Sequence, residues 1–191
     1  MAHHKANKHF YGMTPKKISV SPTSISVEAK ISSDNHIRIY TDASFSIENR
    51  VGVTSFVLTK NNEHIYGSTC PLDYGNGSTF AELVAIERAL DYVHNNFEQN
   101  VSIELYTDSK MSLNIINGTT KLKKSKKDYW KVVDNIKNKN VQLNYVRAHT
   151  NSPSIHSLYN SQADRLCKKR LKEIVSLIKK YKSVNKQQNL Q

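Results

Sequence analysis

The sequence predicts an α/β domain, a five-stranded mixed sheet flanked by helices. Three features carry that expectation. Residues 36–71 alternate with period two and are broken by short polar links. Residues 78–97 switch to apolar spacings of three and four. The tripeptide Tyr-Thr-Asp then ends two separate apolar runs, "IRIYTD" and "IELYTD". The length of 191 residues suits one domain with tails.

In chain order, "HIRIYTDAS" alternates Ile37, Ile39 and Thr41 with Arg38 and Tyr40, "VGVTSFVLTK" is a second strand, and "EHIYGSTCP" is a third beyond the turn residues "KNNE". Links this short predict an antiparallel meander. In "STFAELVAIERALDYVHNNF", Leu83, Ile86, Leu90, Val93 and Phe97 form one helical stripe, with Ser78 or Thr79 as N-cap and Glu82 close behind. "SIELYTD" is a fourth strand, and a strand-helix-strand crossover would lay it parallel to the first. "SKMSLNIIN" is a short helix ended by Gly118, "KKDYWKVVDNIKNK" another helix, and "VQLNYVRAHT" a fifth strand. The last helix begins near His156 or Ser157, with Leu158, Ala163, Leu166, Leu171, Val175 and Ile178 as its apolar face.

Composition narrows the function. With 28 Lys and Arg against 16 Asp and Glu, the net charge of +12 calls for a polyanionic partner, nucleic acid first and a membrane surface second. No run approaches membrane-spanning length and the first thirty residues hold no apolar signal core; the two cysteines suit a reducing, intracellular location in cytoplasm or nucleus, with an organelle transit peptide at the basic, Ser-rich start as the alternative. Cys70 and Cys167 have no metal-like or redox spacing. Residues 1–35 are basic and aperiodic and are read as a flexible tail, residues 36–182 as the domain, and residues 183–191 as a disordered tail.

In this strand order the first and fourth strands neighbour each other where the topology switches, which is where open α/β sheets collect ligands. Their Asp42 and Asp108 would lie side by side at strand spacing, a costly pairing unless a cation sits between them. Glu82 on the crossover helix can reach the same strand ends or serve as a cap. Asp164, beside the apolar stripe of the last helix, is a fourth candidate, the alternative being an ion pair with Arg165 or a lysine. A carboxylate-only site suits hard Mg²⁺, and two such ions beside a basic surface suit phosphodiester hydrolysis.

"YTDAS", "FAELVAIERAL", "YTDSK", "VRAHT" and "NSQAD", in that order, resemble the type I ribonuclease H family. The resemblance implies a ribonuclease H-like fold and a monomer that cuts the RNA strand of RNA–DNA hybrids endonucleolytically, leaving 5′-phosphates, without sequence specificity. It implies two Mg²⁺ ions, or Mn²⁺, held by Asp42, Glu82, Asp108 and Asp164, with His149 assisting proton transfer. His156 is a rival on the same loop, and His149 is preferred for its place after the fifth strand. Asn160, one helical turn before Asp164, would orient that carboxylate or the substrate.

The chain departs from the family pattern in two places. Ala43 stands where many relatives carry Gly, and Ser78 and Thr79 stand where relatives place Asn or Gln with Arg. Ser44 and Asn49 are candidate contacts to the RNA strand, Ser78 and Thr79 to a DNA phosphate, and Lys110 to the substrate backbone. Lys123 and Lys124 belong to a compact basic loop offering salt-sensitive phosphate affinity. Trp130, with Val132, Val133 and Ile136, is expected to anchor its helix in the core. Two other readings are a DNA-cutting nuclease of the same fold, disfavoured by the "VRAHT…NSQAD" pairing, and a non-catalytic hybrid-binding module, disfavoured by the presence of four carboxylates.

Overall fold

The computed structural model describes residues 36–73, 77–98, 101–123, 125–147 and 154–188. The tail read over residues 1–35, together with Lys124, His149 and residues 189–191, lies outside them. The elements are β1 (His36–Ser46), β2 (Val51–Lys60), β3 (Glu63–Asp73), α1 (Ser78–Asn96), β4 (Ser102–Thr107), α2 (Lys110–Ile116), α3 (Lys127–Lys137), β5 (Gln142–Tyr145) and α4 (Ile155–Gln188). One sheet of order β3-β2-β1-β4-β5 contains all five strands. The β1–β2 and β2–β3 pairs are antiparallel, and the β1–β4 and β4–β5 pairs are parallel. The expected mixed sheet is therefore present.

Local chemistry sets the meander. Asn61 and Asn62 both take positive φ, 53° and 65°, between the paired Lys60 and Glu63. Two left-handed residues in a two-residue loop match the right-handed twist of a hairpin, and Asn tolerates that conformation well.

Both faces of the sheet are covered. On one face Ile37, Ile39, Phe56, Leu58 and Leu105 join Leu83, Ile86, Leu90 and Val93 of α1 and Val132, Val133 and Ile136 of α3. On the other, Tyr40 and Val57 meet Ala163 of α4, with Tyr106, Tyr159 and Leu166 around them. Period-two alternation explains why Ile39 and Tyr40 are both fully buried yet belong to different cores. The helix α4 crosses β3 so closely that a Cβ at Gly67 would lie 3.3 Å from Leu166 Cδ1.

Several expectations need correction. Gly77, at φ 88°, takes the N-cap of α1, and no side chain caps the helix; Ser78 and Thr79 are its first helical residues. Glu82 is then the fifth helical residue and no part of a cap. In α3 the buried positions are Tyr129, Val132, Val133 and Ile136, spaced i, i+3, i+4, i+7. Trp130 lies about 100° around the helix from that stripe and is 39% exposed, against 7% for Tyr129, so the tyrosine anchors the helix. In α4 the buried positions are Ser157, Asn160, Ala163 and Cys167, while Leu158 is 54% exposed. The helix runs through Gln188.

Tyr129 packs against Phe80 of α1, their ring centroids 4.9 Å apart. Tyr129→Ala is expected to cost about 3 kcal/mol by cavity formation, and Trp130→Ala less than about 1 kcal/mol. Urea unfolding of the two variants checks the ordering, and an equal or reversed cost would return the anchor to Trp130.

Candidate active site

The repeated tripeptide is aligned with itself. In the parallel β1–β4 pair, Tyr40 is opposite Tyr106 and Thr41 opposite Thr107. The next residue on each strand is an aspartate, so identical local sequence in identical register delivers Asp42 and Asp108 to one place. Oxygens of Asp42, Glu82 and Asp108 lie within 4.8 Å of one another. Glu82 comes from the second turn of α1, over the carboxyl ends of these strands. A second group joins Asp42 to Asp164 and Cys167 on α4, again within 4.8 Å. Asp42 is common to both groups.

Each carboxylate has a different partner. The Cys167 thiol donates to Asp42 Oδ2 at 3.1 Å, and Ser44 Oγ lies 3.1 Å from the same sulfur. Asn160, 3% exposed, donates from Nδ2 to Asp108 Oδ2 at 3.4 Å. Asp164 forms an ion pair with Lys168 at 2.7 Å, one helical turn away, while Arg165 turns back to the Ser161 carbonyl. The Ala43 backbone N–H donates to Glu82. Ser55, buried on β2, donates to the Ala163 carbonyl at 2.8 Å and lies 3.3 Å from the Asp42 carbonyl, tying α4 to the strand that carries Asp42.

Crowding shows in the acidities. Burial, joined by the Asp108 and Asp164 charges, pushes Asp42 up to about 7, against the opposing pull of the Cys167 hydrogen bond. Burial first, then the Asp42 and Asp108 charges, raises Glu82 well above the usual carboxylate range. Burial and the Asp42 charge push the Cys167 thiol up to about 12, so it remains a proton donor. Glu82 Oε2 and Asn160 Oδ1 are buried with no hydrogen-bond partner. An orphaned carboxylate oxygen beside two other carboxylates is what a hard, oxygen-seeking cation relieves, so the residues fit a divalent ion such as Mg²⁺.

The other sequence-picked residues are spread around this centre. Asn49 sits in the β1–β2 turn, where Nδ2 donates to Ser46 Oγ at 2.9 Å. Lys110 opens α2 with its ammonium 4.8 Å over the Tyr145 ring. Lys123 is exposed in the loop before α3. Ser78 is exposed and Thr79 half-buried at the start of α1. His156 is engaged by tyrosines, stacked on Tyr106 at 4.1 Å and hydrogen-bonded through Nδ1 to the Tyr40 hydroxyl at 3.1 Å. Burial lowers its pKa. Cys167 was the residue that sequence reasoning passed over; its one signal is a position three after Asp164, on the same side of α4.

A family model for RNase H matches residues 34–172, most of the chain. The chain belongs to the RNase H family. Solved structures share the fold. An RNase H1 from the halophilic archaeon Halobacterium salinarum covers 72% of this chain and 98% of its own at 15% identity, TM-score 0.57. LC11-RNase H1 in complex with an RNA/DNA hybrid covers 73% and 99% at 18% identity, TM-score 0.59. The N-terminal RNase H domain of a Mycobacterium tuberculosis protein covers 75% and 98% at 14% identity, TM-score 0.59. No curated protein matches the sequence. Among the described residues, no helix is long and apolar enough to cross a membrane.

The raised carboxyls set a stability test for this RNase H chain. A carboxyl whose folded pKa exceeds its unfolded value, as Asp42 does, favours the fold when protonated. Its contribution is complete below the unfolded value near 4 and is lost as pH rises through about 7. Without divalent cation, the protein is expected to lose thermal stability over that window, and Mg²⁺ to restore it above pH 7. Asp42→Asn should raise the cation-free Tm at pH 8 by about 2–4 °C, equivalent to roughly 1 kcal/mol. Calorimetry across pH, with chelator and with Mg²⁺, reads both effects; an unchanged or lower Tm for the variant would contradict the crowding.

Proposed function

We propose that this chain is a divalent-cation-dependent endonuclease that hydrolyses the RNA strand of RNA–DNA hybrids without sequence specificity, leaving 5′-phosphate and 3′-hydroxyl ends. The observation that carries the reading is the meeting of Asp42, Glu82 and Asp108 within 4.8 Å on an RNase H fold. The similarity to a protein solved with an RNA/DNA hybrid supports the substrate class.

Asp42, Glu82, Asp108 and Asp164 are assigned to hold two Mg²⁺ ions, with Mn²⁺ as a substitute. When bound, such ions supply activation of a water and stabilisation of the departing 3′-oxygen. The chain's own groups prepare that centre. The Cys167 thiol fixes one oxygen of Asp42, the Asn160 amide steadies Asp108, and Lys168 neutralises Asp164. His149, on the segment after β5, is assigned the proton transfers at the scissile phosphate. Ser44 and Asn49 face the RNA strand, Ser78 and Thr79 a DNA phosphate, and Lys110, Lys123 and Lys124 the backbones. Recognition would then rest on duplex shape and 2′-hydroxyls, with base sequence unread.

A labelled RNA–DNA hybrid, an RNA duplex and a DNA duplex, each with Mg²⁺ and with chelator, test the assignment. Cleavage is expected only of the hybrid's RNA strand and only with Mg²⁺. Binding without cleavage would leave a hybrid-binding module, and cleavage of the DNA duplex would leave a DNA nuclease. Asp42→Asn is expected to lower the cleavage rate at least about 100-fold, as a small misplacement at a reaction centre does, while hybrid binding persists. Wild-type activity in that variant would place the cation site elsewhere.

A further inference from the structure

The buried side of α4 ends at Cys167; from Lys168 to Asn185 every residue is half-buried or exposed. The helix nonetheless continues to Gln188 and carries a dense set of cations. Their placement is ordered. Lys168, Lys172, Lys179 and Lys182 follow Asp164 by 4, 8, 15 and 18 residues. At 3.6 residues per turn these fall within a stripe about 80° wide that includes Asp164 itself. The stripe lies roughly 110° around the helix from the line of Asn160, Ala163 and Cys167 that faces the sheet.

Lys168 begins the stripe by pairing with Asp164, and Arg170, off the stripe, is neutralised by Glu173 at 2.9 Å. Lys172, Lys179 and Lys182 are exposed and form no ion pair among the described residues. At 1.5 Å per residue they stand roughly 12, 22 and 27 Å beyond Asp164 along the axis. Unpaired cations in a line are uncompensated in the free protein. A polyanion with regularly repeated charge supplies the complement, and a duplex carries one phosphate per about 3.4 Å on each strand.

We propose that this stripe is a phosphate track that starts at the metal-binding end of Asp164 and holds the substrate duplex on one side of the cleaved bond. The partner is the sugar-phosphate backbone of the same RNA–DNA hybrid, so the inference rests on the hydrolase reading above. The track adds affinity and a preferred direction of the duplex away from the centre, and it reads no sequence.

Two double variants of equal charge separate placement from net charge. Lys172→Gln with Lys179→Gln neutralises the track; Lys169→Gln with Lys180→Gln removes two cations from the flank of the same helix. Hybrid binding is measured by fluorescence anisotropy with chelator present, so nothing is cut, between 50 and 200 mM salt. The track pair is expected to weaken binding about tenfold and to flatten the plot of log affinity against log salt by about 1.8, two contacts at about 0.9 each. The flank pair should shift it by less than half as much. Lys172→Arg with Lys179→Arg should restore the slope. With Mg²⁺, the track pair should raise KM at unchanged kcat.

Equal slopes for the two glutamine pairs would overturn the track, as would loss of binding to phosphatidylserine vesicles with hybrid binding intact. Failure of the unsubstituted chain to cut hybrid strikes the hydrolase reading, whereas an unchanged slope in a chain that does cut strikes only the track.

Discussion

The in-register parallel pairing of β1 with β4 is the constraint on which the rest of this domain depends. Because Ile39 faces Leu105, Tyr40 faces Tyr106 and Thr41 faces Thr107, both strands arrive at their carboxyl ends together. A slip of one residue would turn every side chain of one strand to the opposite face. The fully buried Ile37, Ile39 and Leu105 would then leave the α1–α3 core, and the two aspartates would part. Core packing and the carboxylate centre are therefore enforced by the same register, so neither can drift without the other.

Around that register the helices act as clamps. Placed over the sheet by its apolar stripe, α1 brings Glu82 to the strand ends at its second turn. The opposite face of the sheet is covered by α4, held at Asp42 by Ser55 and the Ala163 carbonyl and by the thiol of Cys167. Small and polar residues form the buried line of α4 because the helix sits close to the strands there. Leu158 lies on the far side of the helix from that line and is exposed, and Asn160 has a buried carboxylate to serve. The aromatic layer of Tyr40, Tyr106, Tyr159 and His156 fills the wider space next to it.

Much of this was legible in the sequence because it rests on periodicity. Strand alternation, the α1 stripe and the doubled Tyr-Thr-Asp are local signals, and they are enough to order the five strands. The misreadings share a cause in three-dimensional context. Trp130 outranks Tyr129 in apolar bulk, but helical phase, fixed by Val132, Val133 and Ile136, selects the tyrosine. Ser78 and Thr79 have better capping chemistry than Gly77, but the positive φ at the entry to α1 favours glycine. Cys167 has no partner cysteine or histidine to mark it in sequence. Its importance comes only from lying three residues past Asp164, against a strand more than a hundred residues earlier.

The carboxylates do not share their charge evenly, and the inequality follows from position. Asp164 lies on a helix whose next turn supplies Lys168, so its charge is balanced within the protein. Asp108 has the amide of Asn160. Asp42 accepts from a thiol and Glu82 from one backbone N–H, and burial, with the neighbouring carboxylate charges, pushes both toward neutrality. A thiol is a weak donor, and a stronger one at position 167 would settle the Asp42 charge within the fold. The weak donor leaves that charge to be settled by whatever cation enters. The centre is thereby left incomplete where Asp42, Glu82 and Asp108 converge, while Asp164 beside them already has one internal partner in Lys168.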